Sequence, residues 1–182
     1  MKARVVFAIV LLASCSGAVR HVVLDPTDGS VLSGSEALRA LDQCSHYGPG
    51  DATATWVPST KQIKELERRL PGFLRQQELR PPGSLRTYYR QYVGVVRGGR
   101  QLIYVNGFPK NSIADDVAFM GQFVREHPEV KLTAKEFPES MRTLDAWHSY
   151  AVVVCDGGSS YWGVLYDPET RHFSEYSANG IG

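Results

Sequence analysis

The sequence predicts an α+β domain in which one principal helix packs on a roughly five-stranded antiparallel meander sheet. Three observations lead there. Between residues 60 and 74, Ile63, Leu66 and Leu70 recur at helical spacing, and Phe73 and Leu74 continue the same apolar face. From Leu85 the pattern changes to short runs rich in Tyr, Val and Ile, which is strand composition. Tight turns join those runs, and only antiparallel neighbours can be joined so closely.

The 182 residues are 43% hydrophobic and 21% charged, enough for one ordinary core and too apolar for a disordered chain. The formal net charge is +1, and no run of five or six basic residues occurs. A chain held to nucleic acid by counterion release needs such charge, so no nucleic-acid partner is expected.

The first eighteen residues read as an export leader. Lys2 and Arg4 form a basic start, Val5 to Ala13 is an unbroken apolar run, and small residues follow. Nine apolar residues are too few for a bilayer core of about 30 Å, which needs roughly 20. Two processing routes are open. Leu12-Ala13-Ser14-Cys15 resembles the lipobox of bacterial lipoproteins, which implies lipidation at Cys15. By the same resemblance, Ser16 implies sorting to the outer membrane, with the lipid as the contact to the membrane. Alternatively, Ser16-Gly17-Ala18 is a small-x-small site for cleavage before Val19, releasing the protein to the periplasm. The leader is preferred over a buried N-terminal strand, and the lipid-anchored form over the cleaved one. Loss of Lys2 and Arg4 leaves a mature net charge of −1, which favours no partner class.

Residues 19–55 are expected as an extension with one short helix, and 56–182 as the single α+β domain. In the extension, Ser33 and Glu36 have capping-box spacing ahead of Ala37, Leu38 and Leu41, and 46–55 reads as loop. Ser59 with Gln62 caps the main helix, Pro71-Gly72 ends or kinks it, and Pro81-Pro82-Gly83 stops helical structure. Leu85–Arg97 and Gln101–Asn106 form a hairpin around Gly98-Gly99, in a type I′ turn. Ser112 and Asp115 cap a helix carrying Ile113, Val117, Met120 and Val124, which ends at His127-Pro128, and 129–147 reads as loop with one short helix. Tyr150–Cys155, apolar on both faces, is expected as a central strand. Two further strands, 161–166 and 172–176, follow around the Asp167-Pro168-Glu169-Thr170 turn.

Of the three cysteines, Cys44 and Cys155 remain once Cys15 is lipidated or removed. In an oxidising periplasm an even remainder reads as one disulfide. Two separately buried thiols are the alternative.

Trp56-x-Pro58, the Ile63/Leu66/Glu67/Leu70 helix, Tyr89-Arg90-Gln91-Tyr92-x-Gly94 and Ile103-Tyr104-Val105-Asn106 resemble a group of small, uncharacterised exported proteins of bacteria. Val154-Cys155-Asp156-Gly157-Gly158, Trp162-Gly163-Val164-x-Tyr166-Asp167 and Asn179-Gly180 extend the likeness, which spans 56–107 and 150–180. The resemblance implies export and an α+β domain, and it brings no activity with it.

Catalytic signatures are mostly missing: no nucleophile elbow, Ser-x-x-Lys, Walker loop, His-Glu-x-x-His or Cys-x-x-Cys occurs. The five histidines stand singly, so no metal site and no cofactor are expected. The best nucleophile–base pair is Cys155 with His148, but seven residues of extended chain would separate them by about 23 Å. A disulfide or core role for Cys155 is preferred. Asp156-Gly157-Gly158 could form an anion-binding nest, though a turn is the simpler reading. Asp25 and Asp28 before Gly29 lack the further ligands of a calcium loop.

Arg86, Tyr88, Arg90 and Tyr92 alternate along one strand and so share a face. Arg and Tyr are the residues enriched at interfaces, which makes this row the candidate binding face, little needed for stability. Cross-strand packing, with arginine stems over tyrosine rings, is the other reading. The function expected is therefore a non-catalytic lipoprotein of the bacterial cell envelope that binds a protein or an envelope polymer. A small envelope hydrolase and a periplasmic inhibitor or immunity protein are the alternatives.

Overall fold

The structure is a computed structural model that describes residues 23–24, 28–130 and 142–180. The leader with Cys15 lies outside the described residues. Among the described residues, three α-helices accompany a mixed sheet of seven strands in the order β1-β2-β4-β5-β6-β7, with β3 also paired to β4.

β4 (Tyr88–Arg97) and β5 (Arg100–Pro109) are the long central pair, in register from Tyr88 opposite Pro109 to Arg97 opposite Arg100. Gly98 and Gly99 make the turn at φ 55° and 75°, the left-handed pair that a type I′ hairpin requires. β6 (Trp162–Asp167) and β7 (His172–Ala178) continue antiparallel in chain order. This half of the sheet is a meander.

The other edge of β4 corrects the expected pure antiparallel meander. β2 (Gly29–Val31) runs parallel to β4 beside Arg90, Gln91 and Tyr92, and β1 (Val23–Leu24) pairs antiparallel outside it. β3 (Ala54–Trp56) takes the remainder of the same edge, antiparallel, from Gly94 to Val96. Strands of two or three residues are too short to show an alternating pattern, so nothing in the sequence announced them. The stretch expected as an extension thus supplies β2, β3 and the helix α1 (Gly34–Leu41) to the same sheet.

The second correction concerns Tyr150–Cys155, which is not a strand. Side chains take up its backbone groups instead. Gln91 Oε1 accepts from Val152 N at 3.0 Å, and Gln91 Nε2 donates to the carbonyls of Trp147 and Tyr150 at 2.6 and 2.7 Å. Asn106 Nδ2 donates to Val152 O at 2.8 Å, and Glu36 accepts from Ala151 N at 2.8 Å. Gln91 and Asn106 face each other across the β4–β5 pair and are buried, so the sheet's own polar side chains hold the segment in place of a ladder.

α2 (Thr60–Leu74) is the principal helix. Its capping box forms as its spacing predicts, with Ser59 N donating to Gln62 Oε1 at 2.9 Å and Gln62 N to Ser59 Oγ at 3.3 Å. The helix runs through Pro71 to Leu74. At α1 the box does not form, because Glu36 is drawn to Ala151 and Arg39. α3 (Lys110–Glu126) begins before the expected Ser112 cap, and the Ser112 hydroxyl donates back to Pro109 O at 2.7 Å. Among the described residues, no helix is long and apolar enough to cross a membrane.

The sheet is covered on both faces. Ile63, Leu66, Leu70 and Leu74 of α2 pack on Tyr88, Tyr92, Ile103, Val105, Trp162, Val164 and Tyr166. Opposite, α1 and Ala151 cover Val93, Val95, Tyr104 and Leu165, while Ile113 of α3, Trp147 and Val152 pack with Phe108. This double cover is why β4 is buried along most of its length.

Candidate functional site on the flank of the main helix

The Arg/Tyr row does not form an exposed face. Tyr88, Arg90 and Tyr92 point towards α2 and retain 3%, 6% and 1% of their exposure. Arg86 is off the strand, in the 3-10 turn Leu85–Thr87, and is exposed. The sequence pattern shows that the residues share a face; it does not show which face a helix will cover.

What those residues do is fix a corner of the fold. Glu67 Oε1, on α2, accepts from Tyr92 OH at 2.6 Å and from Arg90 Nε at 2.9 Å. Arg90 also donates to the carbonyls of Leu85 and Tyr88, at 3.0 and 2.9 Å. Burial, and then the Glu67 carboxylate beside it, push the Tyr92 phenol well above its ordinary value, so it stays a donor. The Arg90–Glu67 pair therefore ties α2 to β4 and anchors the chain just before the strand begins.

In front of that anchor lies a cleft of about 570 Å³. Its walls are apolar, with Pro71, Leu74, Pro81, Leu85 and Tyr88. Its rim carries Arg75, Arg80 and Arg86, all exposed. The lining holds three guanidiniums and no carboxylate, and among the described residues none of the three arginines has an ion-pair partner.

Internal hydrogen bonds tie the loop that forms the far wall. Tyr88 OH donates to Pro82 O at 3.0 Å, Thr87 Oγ1 to Ser84 O at 2.8 Å, and Arg86 N to Ser84 Oγ at 3.3 Å. Gly83 takes φ 77°, a left-handed turn that a side chain would strain. A guanidinium presents a planar fork of donors matched to carboxylate or phosphate. Three of them converging on a preformed apolar cleft can hold an anionic group and a non-polar portion of the same ligand. Of the four residues singled out in sequence, Arg86 and Tyr88 line this cleft, and Arg90 and Tyr92 hold it from behind.

The charge is local. From Thr60 to Arg86 the chain carries Lys61, Lys64, Arg68, Arg69, Arg75, Arg80 and Arg86 against Glu65, Glu67 and Glu78, in a protein of net charge +1. Glu67 is already engaged by Arg90, and Glu65 by Arg68 and Arg69, both at 2.6 Å. Those two guanidiniums, Arg69 first, hold the Glu65 carboxyl down at about 2. No single run of basic residues betrays this patch, because helical spacing distributes the cations among apolar residues.

Other residues considered in sequence fall elsewhere. Cys44 and Cys155 are joined in a disulfide, with Cα atoms 5.3 Å apart. The thiol of Cys155 is thus unavailable as a nucleophile, and His148 Nδ1 is bonded to Asp145 O at 3.0 Å. In Asp156-Gly157-Gly158 the three residues adopt positive φ, but Asp156 N donates to Ser45 Oγ and Gly158 N to Gly180 O, so the nest is spent on internal bonds. Beside the disulfide, buried His46 joins Asn179 through Nδ1 and Tyr104 OH through Nε2, the latter at 3.0 Å. Asn179 Nδ2 donates to Val154 O and Asp156 O, which leaves Oδ1 to accept and makes His46 Nδ1 the donor. Burial lowers the His46 pKa, consistent with a neutral ring that locks the chain's C-terminal end. Among the described residues, no group of three or more His, Cys, Asp or Glu is placed to hold a metal ion.

Tyr166 shows a different kind of signal. The residue is fully buried, yet its hydroxyl has no hydrogen-bond partner. An unsatisfied buried hydroxyl costs about 1–3 kcal/mol. Tyr166→Phe is therefore expected to leave stability unchanged or to raise it by up to about 1 kcal/mol in urea unfolding. A clear loss of stability would mean that the hydroxyl has a partner.

No family model, curated protein or solved structure matches this chain.

Proposed function

We propose that this protein is a non-catalytic binding module of the bacterial cell envelope whose ligand presents an anionic group. The observation that carries the reading is the convergence of the unpaired Arg75, Arg80 and Arg86 on one apolar-walled cleft. Among the described residues these cations have no carboxylate partner, so an external anion meets no internal competitor for them. The envelope setting draws on the leader pattern, with Cys15 as the lipid-bearing residue and the outer membrane as its destination. The Cys44–Cys155 disulfide supports it, since such bonds persist in oxidising compartments.

The test is calorimetric binding of digalacturonate and of inorganic phosphate at low salt. The wild-type protein is expected to bind at least one of them, more weakly as salt rises. Arg75→Gln, Arg80→Gln and Arg86→Gln together are expected to weaken binding on the order of thirtyfold. The same triple variant should melt near the wild-type temperature, because all three side chains are exposed. Equal binding by the variant would remove the cleft from the function.

A further inference from the structure

The cleft is one end of a longer feature. A second depression, of about 750 Å³, lies at the other end of α2, lined by Lys61, Lys64, Arg68, Tyr166 and Arg171 and by one carboxylate, Glu65, which Arg68 and Arg69 already engage. A third joins the two. It shares Pro71 and Arg75 with the cleft, and Arg68 and Arg171 with the second depression. Lys61, Lys64, Arg68 and Arg75 fall at helical spacing on the side of α2 turned away from its buried Ile63–Leu66–Leu70–Leu74 stripe. At 1.5 Å per residue, the fourteen steps from Lys61 to Arg75 span about 21 Å.

We propose that this basic track binds a linear anionic glycan, with a charged group seated in the arginine cleft and further charged units lying along α2 as far as the Tyr166 depression. The proposal rests on the reading of the cleft as an anion site.

Three observations favour a linear glycan. The cations follow a line instead of encircling one pocket, which matches a ligand that repeats its charge. The far depression holds the buried, unpartnered hydroxyl of Tyr166, and among the described residues this is the track's one buried polar side-chain atom without a bond. Burial, and then the Glu65 carboxylate, raise the pKa of that phenol against the opposing pull of Arg69, Arg171 and Arg68, so it stays a donor. A sugar hydroxyl can donate to it or accept from it, and a carboxylate can accept from it. The aromatic rings along the track, Phe73, Tyr88, Tyr166 and Phe173, are buried or half-buried, so they offer no open platform for stacking nucleobases.

Two defined probes separate this proposal from the reading beneath it: digalacturonate, and an octagalacturonate long enough to span the track. The wild-type mature chain is expected to bind the octamer about tenfold more tightly than the dimer, because linked charged units engage successive subsites. Lys61→Gln, Lys64→Gln and Arg171→Gln together are expected to collapse that advantage, and Tyr166→Phe to reduce it by a smaller factor. If the octamer keeps its advantage in the distal triple variant while the cleft variant loses both probes, the extended track is overturned and the cleft reading stands. If the cleft variant binds both probes as the wild type does, both readings fall. Capture by phosphatidylglycerol vesicles or by single-stranded DNA, with no octamer binding, would overturn the glycan.

Discussion

Replacing Arg90 and Tyr92 with alanine together is expected to cost about 5 kcal/mol and to lower the melting temperature by at least about 10 °C. Tyr92 is 1% exposed and packs in the core beneath α2, so its truncation leaves a cavity of aromatic size, worth about 3–5 kcal/mol on its own. Removing Arg90 deprives the carbonyls of Leu85 and Tyr88 of their donor and Glu67 of its partner. Glu67 is 29% exposed in its side chain and can regain water, which limits that part of the loss. The two residues share Glu67, so their effects will not add simply. Urea and thermal unfolding measure the outcome. A midpoint close to wild type would restore the reading of this row as an exposed binding face.

Cys44→Ala with Cys155→Ala is expected to lose roughly 2–5 kcal/mol, and reduction of the wild type should reproduce most of that loss. The two cysteines are separated by 111 positions, so the bond closes a loop comprising most of the described chain. The chain-entropy relation gives about 4.7 kcal/mol for a loop of that order. The bond also pins residues 150–156, a segment with no ladder of its own that otherwise depends on Gln91, Asn106 and Asn179. The disulfide-free protein is therefore expected to show faster amide exchange in that segment first, before global opening. Equal stability with and without the bond would show that those side chains suffice.

Wherever periodicity alone decides the structure, the sequence was enough. The apolar stripe of α2, the Ser59–Gln62 cap and the Gly98-Gly99 turn are local, and each forms as its residues require. The α+β class follows from them. The cysteine pairing was legible only as one of two alternatives, because spacing along the chain says nothing of distance in space.

Tertiary structure decided the rest, for a physical reason that recurs. Tyr150–Cys155 has strand composition, but the buried amides of Gln91 and Asn106, and not a neighbouring strand, take up its backbone groups. Arg90 and Tyr92 have interface composition, but α2 brings Glu67 over them and turns them into a clamp. The basic track was invisible for the converse reason. Its cations are dispersed over residues 61–86 and at Arg171, and their sum is hidden in a net charge of +1. A pattern in sequence records which side chains lie on one side of an element. What lies opposite, and hence whether the group is buried, paired or left for a ligand, is set only when the elements pack.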